Sequence, residues 1–307
     1  MNATPTPNTA GTFHRFSPGR VWTLAAATVT QLVRMKVLAF LLVFCALIVA
    51  FGFVWPPPSN DPSQILKQLK DWSFAALQVY SVIIAIAATA LLLPRDLEDR
   101  TLYTILSKPV PRHDYLLGKL LGVLLLIGGS LLVMDLALTG VLWLKQSLLA
   151  AELTASLSQR GLPREETRRL LAELVHSQGL TWSLHLAVVA VFLKASVISA
   201  LALLISCIAS STLFTIVITA CVTIVGHGHQ LMREYFFHPN FGGLGEKLLS
   251  MALAILTPDL GVFDIVENVV GGASVTAPAL AWMFGASALY ITGYMVVSHL
   301  LFVEKEL

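Results

Sequence analysis

Val37–Trp55 reads VLAFLLVFCALIVAFGFVW, nineteen residues without a single charge. Wound as a helix at 1.5 Å per residue, it covers about 28 Å, close to the ~30 Å of hydrocarbon in a bilayer. A strand of a transmembrane β-barrel would instead alternate apolar and polar residues over about 10 positions. This stretch is continuous, and Leu121–Val133 is nearly so, which excludes a barrel. The rest of the chain follows the same pattern: of 307 residues, 56% are apolar and 12% are charged, about half the charged share of an ordinary soluble domain. The sequence therefore predicts an all-α polytopic membrane protein, with spans at 37–55, 72–93, 116–144, 183–209, 212–228 and 281–302.

Outward from the first span, residues 1–16 read as a disordered tail and 17–307 as one transmembrane domain. Ser17 and Pro18 supply a helix start. Val21, Leu24, Ala25, Leu32 and Met35 then share one face, broken by Thr28, with Arg20, Thr23, Thr30 and Arg34 opposite. Two readings stand for this stretch: an interfacial helix with Trp22 at headgroup depth, or an extension of the first span. The polar, basic lead of 36 residues is too long for the n-region of a cleaved signal peptide, so the first span is expected to stay in the mature protein.

Pro56, Pro57 and Pro58 close the first span. Residues 146–181 are charged and read as a solvent-exposed helical hairpin, divided by Gly161 and Pro163 and ended by Gly179. The mixed stretch 229–280 holds an apolar helix, Leu244–Leu256, stopped by Pro258, and reads as re-entrant or surface-lying. Orientation follows from the positive-inside rule, which weighs short loops near span ends. Basic residues crowd the 94–115 loop and the flank of the first span, while Arg160, Arg164, Arg168 and Arg169 sit in the long hairpin. Both termini are accordingly placed in the cytoplasm and the hairpin outside.

The loop Pro94–Lys119 reads PRDLEDRTLYTILSKPVPRHDYLLGK. Asp96 can cap a short helix whose acidic first turn and Lys108 near its end suit the helix dipole, and Pro109 stops it. Leu97, Thr101, Leu102, Ile105 and Leu106 form its mostly apolar face. Glu98, Thr101, Leu102, Leu106, Ser107, Pro109, Val110, Arg112, Gly118 and Lys119 resemble the E-x-x-T-L-x-x-x-L-S-x-P-V-x-R-x-x-x-x-x-G-K signature of ABC-2 type permeases, the transmembrane subunits of one class of ABC exporter. The six spans, the N-terminal interfacial helix and the segment Thr257–Ile265 (TPDLGVFDI) extend the resemblance over most of the chain; Arg100 stands where many members have glycine.

The resemblance implies a cytoplasmic coupling helix that docks on a separate ABC ATPase subunit, with Glu98, Arg100, Thr101, Leu102, Leu106, Pro109 and Arg112 as the coupling residues. It also implies a second permease subunit, identical or homologous, and a place in a bacterial or archaeal plasma membrane. ATP and Mg²⁺ would then sit on the partner, with no cofactor in this chain. The residues agree: G-x-x-x-x-G-K-[ST] does not occur, and Phe241–Lys247 (FGGLGEK) lacks its spacing. Neither H-E-x-x-H nor G-x-S-x-G occurs, so the chain is not expected to be an enzyme. A second class stays open, a membrane scaffold that recruits a cytoplasmic partner without transport.

Two charges fall inside predicted spans. Counted from the outer ends, Asp135 lies about 14 Å below Leu144 and Lys194 about 17 Å beyond Ser183. Consecutive antiparallel helices would bring them level, which predicts an intramembrane Asp135–Lys194 ion pair; a substrate or proton-relay role and independent snorkelling are the alternatives. His227 and His229 read as an interfacial pair and not a metal site. Cys45, Cys207 and Cys221 lie in apolar runs and read as buried hydrophobes, with neither disulfide nor metal expected. A net charge of +2 without a basic run gives no support for nucleic acid.

Overall fold

The computed structural model describes residues 17–54, 61–98, 111–159, 161, 163–209, 211–229, 245 and 257–304. The predicted tail, the core of the 94–115 loop and all of Leu244–Leu256 except Gly245 lie outside them. Regular structure among the described residues is entirely helical. The longer elements are α1 (Pro18–Arg34), α2 (Val37–Phe53), α3 (Pro62–Glu98), α4 (Arg112–Gln159), α5 (Arg164–Gln178), α6 (Trp182–Ile208) and α7 (Thr212–His227). A 3-10 turn (Leu260–Phe263), a short α8 (Val266–Val270) and a long α9 (Ala277–Glu304) complete the order.

Four helices are long and apolar enough to cross a membrane, α3, α4, α6 and α9, and a fifth span appears if α1 and α2 are taken together. Six spans were expected. The difference lies in α2, 17 residues, and α7, 16, both apolar and both at the short end of what a bilayer requires. Among the four, α6 is central, with 78% of its apolar window buried, whereas α9 is peripheral, with 11%.

Three predicted boundaries shift, the first at the start of α3, which begins at Pro62 and not at residue 72. The third span was expected to end at Leu144, ahead of a separate hairpin, but α4 continues unbroken to Gln159, 48 residues or about 72 Å. Polarity changes after Leu144, yet Lys145–Gln159 contains neither glycine nor proline and is rich in Ala and Leu, so helix propensity does not change with it. The first arm of the hairpin is thus the end of α4. Gly161, in the left-handed region at φ +72°, turns the chain into α5. The hairpin is anchored where buried Lys70 of α3 donates to Gln178 Oε1 at 2.7 Å. At the other end, α3 runs through Pro94 and Asp96 to Glu98, so Asp96 is an interior residue and not a cap. A helical proline removes one backbone bond, and here the helix persists past that loss.

The N-terminal stretch forms its own helix. Lys36, the one described non-glycine residue at positive φ (63°), breaks the chain between α1 and α2, which are bent by 67°. This rules out a straight extension of the first span. α1 buries Val21, Ala25, Thr28 and Leu32 and leaves Trp22 60% exposed. Ser17 occupies the N-cap position, although its side chain makes no cap bond.

The buried face of α1 lies across the first turns of α4. Gly118 and Gly122 permit this approach: a Cβ at Gly122 would stand 2.8 Å from the Ala25 carbonyl oxygen, and one at Gly118 would stand 2.5 Å from Leu24 Cβ. This is the close helix contact that small residues four apart allow. Cys221, expected to be buried, is exposed on α7, while Cys207 is buried and Cys45 half-buried; none of the three is in a disulfide.

Gly122→Val should drive a side chain into the α1 backbone and cost roughly 1–3 kcal/mol, as overpacking does. Gly129→Ala, which meets nothing within 4 Å, should be neutral or slightly stabilising. Thermal unfolding in detergent separates the two, and equal midpoints would contradict the crossing.

Candidate functional site

Two features bear on function: the charges within the helices and the anchorage of the loop between α3 and α4. Asp135, on α4, is 8% exposed, and its Oδ2 lies 2.7 Å from His185 Nδ1 on the first turn of α6. The other carboxylate oxygen is buried and makes no hydrogen bond. Trp182, one turn earlier, sets its ring at 66° to the His185 imidazole with centroids 5.4 Å apart.

Lys194, 3% exposed, has a different partner, Asp264 Oδ1 at 3.9 Å, and its ammonium makes no hydrogen bond. The expected Asp135–Lys194 pair is therefore not formed. The expectation set Leu144 level with Ser183, but Asp135 meets His185 two residues inside Ser183, so Leu144 stands well beyond the start of α6 and Asp135 lies near that end instead of deep in the bundle. Lys194 lies nine residues beyond His185 on α6, about 14 Å along the axis. His185 carries no formal charge at neutral pH, so the charges within the predicted spans do not point to it. The sequence signal existed, an imidazole two residues inside the predicted span 183–209. Asp264 lies in the TPDLGVFDI segment, outside any predicted span.

That segment is held tightly. Asp259 Oδ1 accepts from the Gly261 amide at 3.1 Å and caps the 3-10 turn, while the Asp259 amide donates to Tyr290 Oη at 3.1 Å. Gly226 of α7 lets the chain pass, since a Cβ there would lie 2.7 Å from the Pro258 carbonyl oxygen. His229 Nε2 is 2.6 Å from Thr257 Oγ1, and His227 Nδ1 donates to the Thr223 carbonyl at 2.8 Å. The two histidines thus bind separate protein partners. Among the described residues no group of three or more His, Cys, Asp or Glu side chains is placed to hold a metal.

Of the expected coupling residues, Arg100, Thr101, Leu102, Leu106 and Pro109 lie outside the described residues. Glu98 is the last residue of α3 and Arg112 the first of α4. Arg112 Nη1 donates to the Phe302 carbonyl of α9 at 2.7 Å, with its guanidinium 5.8 Å from the Phe302 ring centroid. Two residues on, Asp114 is fully buried; Arg20 of α1 reaches its Oδ2 through Nη2 at 2.8 Å and Nε at 2.9 Å. His113 Nε2 lies 3.1 Å from the other oxygen, and Lys119 donates to Gln31 of α1 at 3.3 Å. The first turns of α4 are thus tied into a knot with α1 and α9. No family model matches this chain, and no curated protein matches it.

A double-mutant cycle on thermal stability tests the charge assignment. Asp135→Asn and His185→Gln should couple by about 0.5–3 kcal/mol, whereas Asp135→Asn and Lys194→Met should add to within about 0.5 kcal/mol. The reverse pattern would restore the Asp135–Lys194 pair.

Proposed function

We propose that this chain is the transmembrane permease subunit of an ABC-2 type exporter, coupling ATP hydrolysis on a separate ATPase subunit to outward movement of a substrate. One juxtaposition carries the reading. The E-x-x-T-L…L-S-x-P-V-x-R…G-K pattern runs from the last residue of α3 into the first turns of α4, and its far end is bonded to both α1 and α9. A displacement applied to residues 99–110 then reaches α1 through Arg20–Asp114 and α9 through Arg112–Phe302. In this reading α2, α3, α4, α6, α7 and α9 are the six spans. α1 lies in the cytoplasmic interface of a bacterial or archaeal plasma membrane, and the α4–α5 hairpin is outside. Two permeases, identical or homologous, work with two ATPases that hold ATP and Mg²⁺.

The apolar face of the coupling segment supplies the test. Leu102→Asp combined with Leu106→Asp should abolish copurification of the ATPase while membrane insertion of the chain persists, because the spans are untouched. Undiminished copurification would overturn the docking assignment. A partner that binds but whose ATPase rate ignores this chain would favour the second reading, a scaffold without transport.

A further inference from the structure

Three helices fix the depth of the Thr257–Ile265 segment. Lys194, the partner of Asp264, lies about 18 Å from the start of α6 and about 21 Å from its end. Tyr290, whose Oη accepts from the Asp259 amide, lies about 20 Å from the start of α9 and about 21 Å from its end. Those two ends are level, since Cys207 of α6 and Phe302 of α9 pack in one cluster. Gly226, which the Pro258 carbonyl passes, lies about 21 Å into α7, and α7 starts beside the end of α6. Pro258–Asp264 therefore sits near the middle of the bundle. From there the chain climbs back to the end where α6 begins: Glu267 comes close enough to Asp71 of α3 to interact with its charge, and the Val275 amide donates to Ser183 Oγ at 3.3 Å.

The open side of this stretch is polar. Asp264 keeps 48% of its side chain exposed, and Glu267 and Asn268 are exposed above it, while Val266, Val269 and Val270 are buried. At about the same depth the open surfaces of α7 and α9 are Ile224 and Leu289, side chains suited to hydrocarbon. A carboxylate turned to lipid there would cost roughly 2.5–3.5 kcal/mol on insertion scales, and irregular backbone at that depth is tolerated only inside protein or beside water. Lys194 adds a constraint from behind. Its buried ammonium makes no hydrogen bond, and Asp264 offsets its charge only while ionised, which requires water on the open side of that carboxylate. We infer that an aqueous vestibule enters the bundle from the end where α6 begins, runs past Asn268 and Glu267, and brings water and small hydrophilic solutes to Asp264 at mid-depth. The vestibule depends on neither the permease reading nor the direction in which the chain faces.

Thiol modification of the full chain in sealed membrane vesicles of each orientation tests it, in a background of Cys45→Ser, Cys207→Ser and Cys221→Ser. Thr181→Cys, exposed just before α6, marks the face on which the vestibule opens. From that face a membrane-impermeant methanethiosulfonate should modify Asp264→Cys and Asn268→Cys at least about ten-fold faster than Ile224→Cys and Leu289→Cys, because only the thiolate reacts and a thiol in hydrocarbon does not ionise. Where Asp264→Cys strands Lys194 and fails to accumulate, Asp264→Cys combined with Lys194→Met reads the same position. Modification of positions 264 and 268 only by membrane-permeant N-ethylmaleimide would overturn the vestibule. So would reaction from the opposite face, or at the rate of Ile224→Cys.

Discussion

The arrangement rests on the crossing of α1 over α4, where two glycines let backbones nearly touch and one ion pair locks the contact. Asp114 is fully buried, and a buried carboxylate is tolerated only if paired and hydrogen-bonded. Arg20 supplies the pair from a different helix, so α1 cannot leave without stranding that charge. The left-handed turn at Lys36 is what frees α1 from the axis of α2 and allows it to reach α4. From this knot the rest follows: α4 starts at a fixed place, and α9 ends against Arg112.

Polar groups elsewhere in the bundle are handled one helix at a time. Thr215, Thr219 and Thr223 form a buried stripe on α7, each hydroxyl donating to the carbonyl four residues earlier. Such back-bonding satisfies the hydroxyl within its own helix, so the stripe can pack inside an apolar bundle. Asp135 and Lys194 cannot be satisfied this way and draw on other elements, one at the start of α6 and one in the Thr257–Ile265 segment. The second contact ties that segment to the central helix by charge as well as by packing.

Much of the fold was legible because apolar runs long enough for a bilayer leave helix as the only economical backbone. The stripe Val21, Ala25, Leu32 announced α1, and three of its five predicted face residues are buried. Helix ends were less legible. Polarity falls away at Leu144 while helix propensity continues to Gln159, and Pro94 sits inside α3 where a stop was expected. The level at which α4 passes α6 was not legible either: Leu144 stands well beyond the start of α6, so Asp135 meets His185 on the first turn and not Lys194, and His185 carries no formal charge to mark it. Arg20–Asp114 was not foreseen at all, since a contact between residues 94 apart leaves no local periodicity.

The proposed role predicts a defined assembly: in that role the chain would supply half of a two-fold pathway, and two such subunits would meet through a symmetric interface. Native mass spectrometry of the complex that the tagged chain draws from its own membrane measures this directly. The account predicts two permease subunits, identical or homologous, with two nucleotide-binding ATPase subunits. A stable complex with a single permease, or one that contains no ATPase, would contradict it.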